Sequence, residues 1–265
     1  MPVYAQNKLP TSLAGEDETM RAGEEKVAAQ AIVDLVRANR DEGKQLEICA
    51  IGPLTNIAAA LALDATIGPS IKCLTIMGGH MGHGGVRFAG RVLPMDLDFN
   101  LVSNANASHA VFRPTTGIPC IRLVTADVTL RCWMGRADLA RLEKSGHAFV
   151  QRMCAHIRRW TPMQETFFQY STADIDNVAF LHDPLTLACV LDESFCTFAD
   201  VHIEGLVTTD RREGFGWAGE GKLFRTISRP HEVPGATRIM RCATDVDPDK
   251  VRQHVVDRLV DHFGV

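Results

Sequence analysis

Between Leu46 and Met77 the sequence sets an apolar run of strand length, a helix-forming stretch and a second apolar run one after another. No other feature narrows the fold as much. Leu46-Glu47-Ile48-Cys49-Ala50-Ile51 comes first. Gly52-Pro53 then turns the chain into Leu54–Leu63, whose Asn56-Ile57-Ala58-Ala59-Ala60-Leu61 has high helical propensity, and Ile71–Met77 follows. Two strands joined through a helix run parallel, because a parallel pair needs a crossover of about a dozen residues or more. Largely apolar runs without strict alternation belong to a sheet covered on both faces. The fold class is therefore α/β, an open, mostly parallel sheet flanked by helices.

The rest of the chain fits that frame. Met20, Val27, Ala28, Ala31, Val33, Leu35 and Val36 recur near the 3.6-residue period, which predicts a helix over 17–39. Residues 78–97 read as a long loop with six glycines, and loops of that length are usually functional. A helix is expected over 104–112 and a third strand over 119–124. Residues 133–172 read as mostly helical with an interruption near Pro162. Alternating runs at 197–203, 223–227 and 238–243 predict strands, an antiparallel extension of the sheet. Asp247-Pro248 opens a last amphipathic helix. Residues 1–265 read as one domain.

Composition removes several classes of function. Of the 265 residues 46% are apolar and 23% charged, with a formal net charge of −4. This is ordinary globular composition, and the acidic balance argues against a nucleic-acid partner. No apolar run reaches the roughly 18–20 residues that span a bilayer, and Met1-Pro2-Val3-Tyr4-Ala5-Gln6 has no signal-peptide pattern. The eight cysteines are scattered without a C-x-x-C, which argues against zinc ribbons and a disulfide framework and suits a reducing cytoplasm.

Two polar clusters carry the chemistry. In Val178-Ala179-Phe180-Leu181-His182-Asp183-Pro184 an apolar run ends in an imidazole and a carboxylate, and Pro184 opens a helix. Asp183 is either an N-capping residue beside a core His or, with His182, half of a site delivered into a cleft. In open α/β sheets ligands collect beyond the carboxyl ends of the parallel strands. Ile51-Gly52-Pro53 and Met77-Gly78-Gly79 fall there, and so does His182-Asp183 if its apolar run is strand-like. In Asp96-Leu97-Asp98-Phe99-Asn100, Asp98 and Asn100 alternate around Phe99 and suit hydrogen bonding to a polyol.

Gly52-Pro53-Leu54-Thr55-Asn56, Met77-Gly78-Gly79, Asp98-Phe99-Asn100 and His182-Asp183-Pro184, in that order, resemble the signatures of the inosine-uridine-preferring nucleoside hydrolases. Thr125-Ala126-Asp127-Val128-Thr129 and Ala243-Thr244-Asp245-Val246-Asp247 are further similar pieces. The resemblance covers essentially the whole chain. It implies a Rossmann-like open α/β fold and hydrolysis of the N-glycosidic bond of purine or pyrimidine ribonucleosides, with bound Ca²⁺. It further implies a homo-oligomer, in the cytoplasm, serving purine and pyrimidine salvage.

Residue by residue, the resemblance assigns Asp183 and the backbone carbonyl of Ile51 to calcium, which takes hard oxygen ligands. Asp98, where the family usually has Glu, and Asn100 would bind ribose hydroxyls, with Met77 packed near the sugar. His182 would protonate the leaving base, a task suited to a group with an unperturbed pKa near 6.5. Tyr170 would contact the base. The family's Asp-x-Asp-x-Gly-x-Asp-Asp cluster, which supplies most calcium carboxylates and the base for water, does not occur in this sequence. The expectation is accordingly a fold without its N-terminal strand or strands, and an incomplete calcium site. The alternative is a catalytically impaired nucleoside- or sugar-binding relative.

Overall fold

The computed structural model describes residues 18–79, 86–88, 91–93, 99–168, 176–207, 222–227 and 236–264. Helix α1 (Glu18–Asp41) leads into β1 (Leu46–Ala50), α2 (Thr55–Leu63), a 3-10 turn at Ala65–Ser70 and β2 (Ile71–Met77). Strands β1 and β2 pair in parallel, as the crossover requires. In the glycine-rich stretch, β3 (Val86–Phe88) and β4 (Arg91–Leu93) form a short antiparallel pair where the sequence reads as loop throughout. Helices α3 (Phe99–Ser103) and α4 (Ala105–Phe112) then bring the chain to β5 (Ile121–Val124).

The second half begins with α5 (Ala126–Thr129), β6 (Trp133–Gly135), α6 (Arg136–Leu142), α7 (Ala148–Phe168), β7 (Asn177–Phe180) and α8 (His182–Leu191). It closes with β8 (Cys196–Val207), β9 (Lys222–Ile227), β10 (Ala236–Val246) and α9 (Pro248–Phe263). The main sheet has the order β1-β2-β5-β10-β8-β9. Its first four strands run parallel, and β8 and β9 extend it antiparallel.

Alternation along the central strands divides the core between two faces. Leu74, Ile76, Ile121, Leu123, Met240 and Cys242 are buried against α1, α2 and α4. Val124, Ala243 and Val246 join the core built with α5 to α9. Burial on both faces is why β2 and β5 carry apolar residues at adjacent positions rather than in strict alternation. The helices sit where their sequence signals place them. Asn104 caps α4 by accepting from the Ala107 amide at 3.0 Å, and its amide donates to Thr55 Oγ1 at 3.0 Å, tying the starts of α4 and α2 together. Asp247 caps α9 through the amides of Asp249 and Lys250, both at 3.1 Å.

Two expectations change. Pro162 does not interrupt α7, which runs through it to Phe168. The Thr161 hydroxyl lies 2.9 Å from the Ile157 carbonyl and 3.0 Å from that of Val178, and Gln164 bonds Asn177 and the Phe180 amide. Packing on β7 thus offsets the backbone bond that proline removes. Trp133–Gly135 is a strand rather than helix. It pairs antiparallel with β7, so the apolar run before His182 is outside the main sheet.

The 3-10 turn at Ala65–Ser70 begins with an acid-sensitive cap. Asp64 accepts from the Thr66 amide at 2.8 Å and the Thr66 hydroxyl at 2.6 Å, and Arg37 approaches at 2.8 Å. These bonds, Thr66 first and Arg37 after it, lower the carboxyl from 3.8 to about 2. A carboxyl depressed in the fold stabilises above its ordinary pKa and loses that effect as pH falls through the folded value. Replacing Asp64 with Asn is expected to flatten the fall of the thermal midpoint between roughly pH 4 and pH 2. Parallel melting-point curves for the two proteins across that range would disprove it.

Candidate active site

The carboxyl ends of the parallel strands gather residues from four distant segments. Gly78 and Gly79 continue beyond β2 beside β5. The Gly78 amide donates to the Val124 carbonyl at 3.1 Å, and the Ala126 amide donates to the Gly79 carbonyl at 2.9 Å. Gly79 adopts φ 89°, a left-handed conformation that favours glycine and ends the strand here. Thr125, fully buried, donates to the Ala243 carbonyl at 2.9 Å and holds the end of β5 to β10. Arg131 binds Asp245 at 2.6 Å. The Thr125–Thr129 and Ala243–Asp247 pieces therefore hold the strand ends together, with Asp247 as a helix cap.

Asn100 lies in the short α3, so the strand-like alternation with Asp98 does not extend through it. Its amide nitrogen approaches the Met77 carbonyl at 3.1 Å and the Met77 sulfur at 3.2 Å. Both donors of the amide thus point at the end of β2, and Oδ1 remains the acceptor of the group. Met77 is buried. Asp98 and Tyr170 lie outside the described residues.

His182 is the first residue of α8, and Leu181 occupies the N-cap position without a side-chain bond. Asp183 is not the cap. It sits in the first turn of α8, where the dipole favours negative charge. Leu181 is fixed by its amide, which donates to the Cys132 carbonyl at 2.8 Å. His182 Nδ1 lies 2.6 Å from Thr129 Oγ1, joining the start of α8 to the turn after β5. Nothing local to Thr129 predicts this bond; its place in the Thr125–Thr129 piece is the signal for it.

Among the described residues the Asp183 carboxylate has no hydrogen bond or ion pair. Its side chain opens to solvent, yet the packed surroundings desolvate it enough to raise its pKa. Its charge is felt at Cys49, near the end of β1. There burial first, and then the Asp183 charge, push the thiol up to about 11. Ile51, two residues on, directly follows β1 at the sheet edge with half of its surface exposed. Asp183 therefore suits one ligand position for a hard cation. The described residues do not make up a calcium site: no three His, Cys, Asp or Glu side chains among them converge.

An open sheet of four parallel strands, with an imidazole, an amide and an unpartnered carboxylate gathered at its carboxyl edge, is a ligand-binding α/β architecture. The family model for inosine-uridine preferring nucleoside hydrolases matches residues 4–253. The chain belongs to that family.

Among its relatives, pyrimidine-specific ribonucleoside hydrolase RihA of Enterobacter sp. (strain 638) is 26% identical over 239 residues, 89% of this chain and 66% of the relative. Probable uridine nucleosidase 2 of Oryza sativa subsp. japonica is 28% identical over 185 residues, 69% of this chain and 49% of the relative. In fold the chain is similar to the plant nucleoside hydrolase PpNRh1, with a TM-score of 0.66 and 24% identity over 88% of this chain and 66% of that one. The purine-preferring ribonucleoside hydrolase from Gardnerella vaginalis gives a TM-score of 0.64 at 24% identity, over 88% of this chain and 65% of that one. The chain thus spans about half to two thirds of the length of these relatives.

Proposed function

We propose that this protein hydrolyses the N-glycosidic bond of ribonucleosides, purine, pyrimidine or both, to free base and ribose. The observation that carries the reading is the convergence of Asn100, His182 and Asp183 from distant segments onto one sheet edge, within a family of nucleoside hydrolases. Departure of the base leaves an oxocarbenium-like sugar, so the site must hold ribose hydroxyls and assist the leaving group. With its amide donors turned to Met77, Asn100 presents Oδ1 to a ribose hydroxyl, and Met77 packs beneath. The Thr129 hydroxyl donates to the Ala126 carbonyl, so its oxygen can accept from Nδ1–H of a protonated His182, whose Nε2–H is then the proton that would pass to the base. Asp98 would add a second hydroxyl contact and Tyr170 a contact to the base.

Asp183 and the Ile51 carbonyl would be ligands of Ca²⁺, which takes about six to eight oxygens, more than these two supply. The reading carries with it a homo-oligomeric, cytoplasmic enzyme of nucleoside salvage. A second reading, favoured by the lack of converging metal ligands among the described residues, is a relative that binds nucleosides or sugars without turning them over. Ribose release from uridine or inosine by the purified chain separates the two, since binding seen by calorimetry without release selects the second.

The leaving-group role has its own test. His182→Ala is expected to lower kcat on inosine by about 10²- to 10⁴-fold. On p-nitrophenyl riboside, whose phenolate departs without a proton, the loss should be slight. Equal losses on both substrates would reduce His182 to a structural part.

A further inference from the structure

The face of the sheet beneath α8 holds a sulfur-rich layer that the proposed hydrolysis does not use. Cys49 and Thr75 are register partners on β1 and β2, and Thr75 and Arg122 on β2 and β5. Arg122 is buried. Its Nη1 donates to Thr75 Oγ1 at 3.1 Å and to the Cys189 carbonyl at 3.2 Å, and its Nη2 pairs with Glu193. The guanidinium lies 5.6 Å from the centre of the Phe198 ring. Cys189 ends this layer. Its thiol donates to the sulfur of Cys196, 3.6 Å away.

We propose that Cys189 and Cys196 are a redox-modification site, a dithiol that hydroperoxides convert into a disulfide. The two sulfurs are held together by local structure. Cys189 is in the last turns of α8 and Cys196 is the first residue of β8, with only the 3-10 turn Glu193–Phe195 and its Asp192 cap between. Asp192 fixes that turn through the Ser194 amide at 2.8 Å and the Ser194 hydroxyl at 2.9 Å. A disulfide needs sulfurs at about 2.05 Å, so forming the bond requires these two to close from 3.6 Å.

Access divides the work between them. Cys189 is fully buried, whereas Cys196 is partly exposed and within reach of a small oxidant. Donation of its S–H to Cys196, and then burial, push the Cys189 thiol far up, so Cys189 remains the protonated donor. Cys196 is therefore the attacking sulfur. Its thiolate attacks the terminal oxygen of a hydroperoxide; the S–O bond forms, the O–O bond breaks, and the alcohol leaves after taking a proton from water. Cys189 then attacks the sulfur of the sulfenic acid. The S–S bond forms as the S–O bond breaks, and the Cys189 proton leaves with the hydroxide as water. Two thiols lose two electrons, and the peroxide bond takes them up. In a reducing compartment such a bond is transient and reversed by dithiols. The reaction is independent of nucleoside chemistry.

The competing site is Cys120, which Cys73 on the neighbouring strand first, and then Arg122 and Arg241, lower to about 7. The test is to treat the full chain with a small molar excess of hydrogen peroxide and block free thiols. Intact mass and non-reducing peptide maps are then read. The expected result is a loss of about 2 Da, a crosslinked peptide joining Cys189 to Cys196, and recovery of both thiols with dithiothreitol. Cys196→Ser should remove the crosslink, while Cys120→Ser should retain it. A crosslink mapped to Cys73 and Cys120, or oxidation confined to Cys120, would overturn the proposal. So would a Cys189 that stays fully reduced.

Discussion

Asp183→Asn is expected to lower the proposed nucleoside hydrolysis by about 10²- to 10³-fold in kcat/KM without lowering the stability of the fold. The activity loss follows from position. On the proposed reading a positively charged sugar develops beside this carboxylate, and a fixed negative charge there would contribute several kcal/mol, about two to three orders of magnitude in rate. The resemblance assigns the same carboxylate to the metal, and the structure adds that no described side chain neutralises it.

Stability should move in the opposite direction. Desolvation raises the Asp183 pKa, so the ionised form is disfavoured in the folded state. A carboxyl raised above its unfolded value destabilises increasingly as pH climbs from the unfolded pKa to the folded one. The neutral amide should therefore melt no lower than the parent at neutral pH, and the two should coincide in acid where both are uncharged. Measured ribose release and melting curves decide the matter. An Asn variant that keeps full activity would remove Asp183 from the site, and one that melts well below the parent would make it a structural residue.

The largest purely structural effect is expected at Gly68. A Cβ built there would stand 1.7 Å from the Thr116 carbonyl oxygen and 2.9 Å from its carbon, both backbone atoms. Backbone cannot swing aside as a side-chain tip does, so the 3-10 turn at Ala65–Ser70 would have to move away from Pro114–Thr116. These two turns precede β2 and β5 and set the depth at which the strands enter the sheet, where the Leu74 amide donates to the Cys120 carbonyl at 2.9 Å. Overpacking costs typically about 1–3 kcal/mol, and Gly68→Ala should reach or exceed the upper end. Gly146→Ala, with nothing within 4 Å of the added carbon, should lie within about 0.5 kcal/mol of the parent. Urea midpoints measure both. A Gly68→Ala protein as stable as the Gly146→Ala protein would show that the contact is not fixed.

Most of the fold is legible because its signals are local. The strands at 46–50 and 71–77, the helix between them and the last helix beginning at Pro248 follow from apolar period, propensity and capping chemistry. Signals that depend on a distant partner mislead when taken along the chain alone. Pro162 looks like a breaker until Val178, Asn177 and Phe180 are seen to hold Thr161 and Gln164. Trp133–Gly135 carries no strand pattern of its own and becomes one by pairing with β7.

The site divides along the same line. The amino-acid sequence by itself determined the residue types at the sheet edge, since His182-Asp183, Met77 and Asn100 stand in ordered pieces whose chemistry suits a polyol and a leaving base. It also determined the parallel topology, because a helix between two short apolar runs allows little else. Only the tertiary structure decided what each polar group is bonded to. Thr129 orients His182, Met77 turns the Asn100 amide, and Asp183 is left as a partly desolvated carboxylate whose charge is felt at the end of β1. Hydrogen-bond partners and desolvation come from residues tens of positions apart, and no pattern along the chain records which of them will meet.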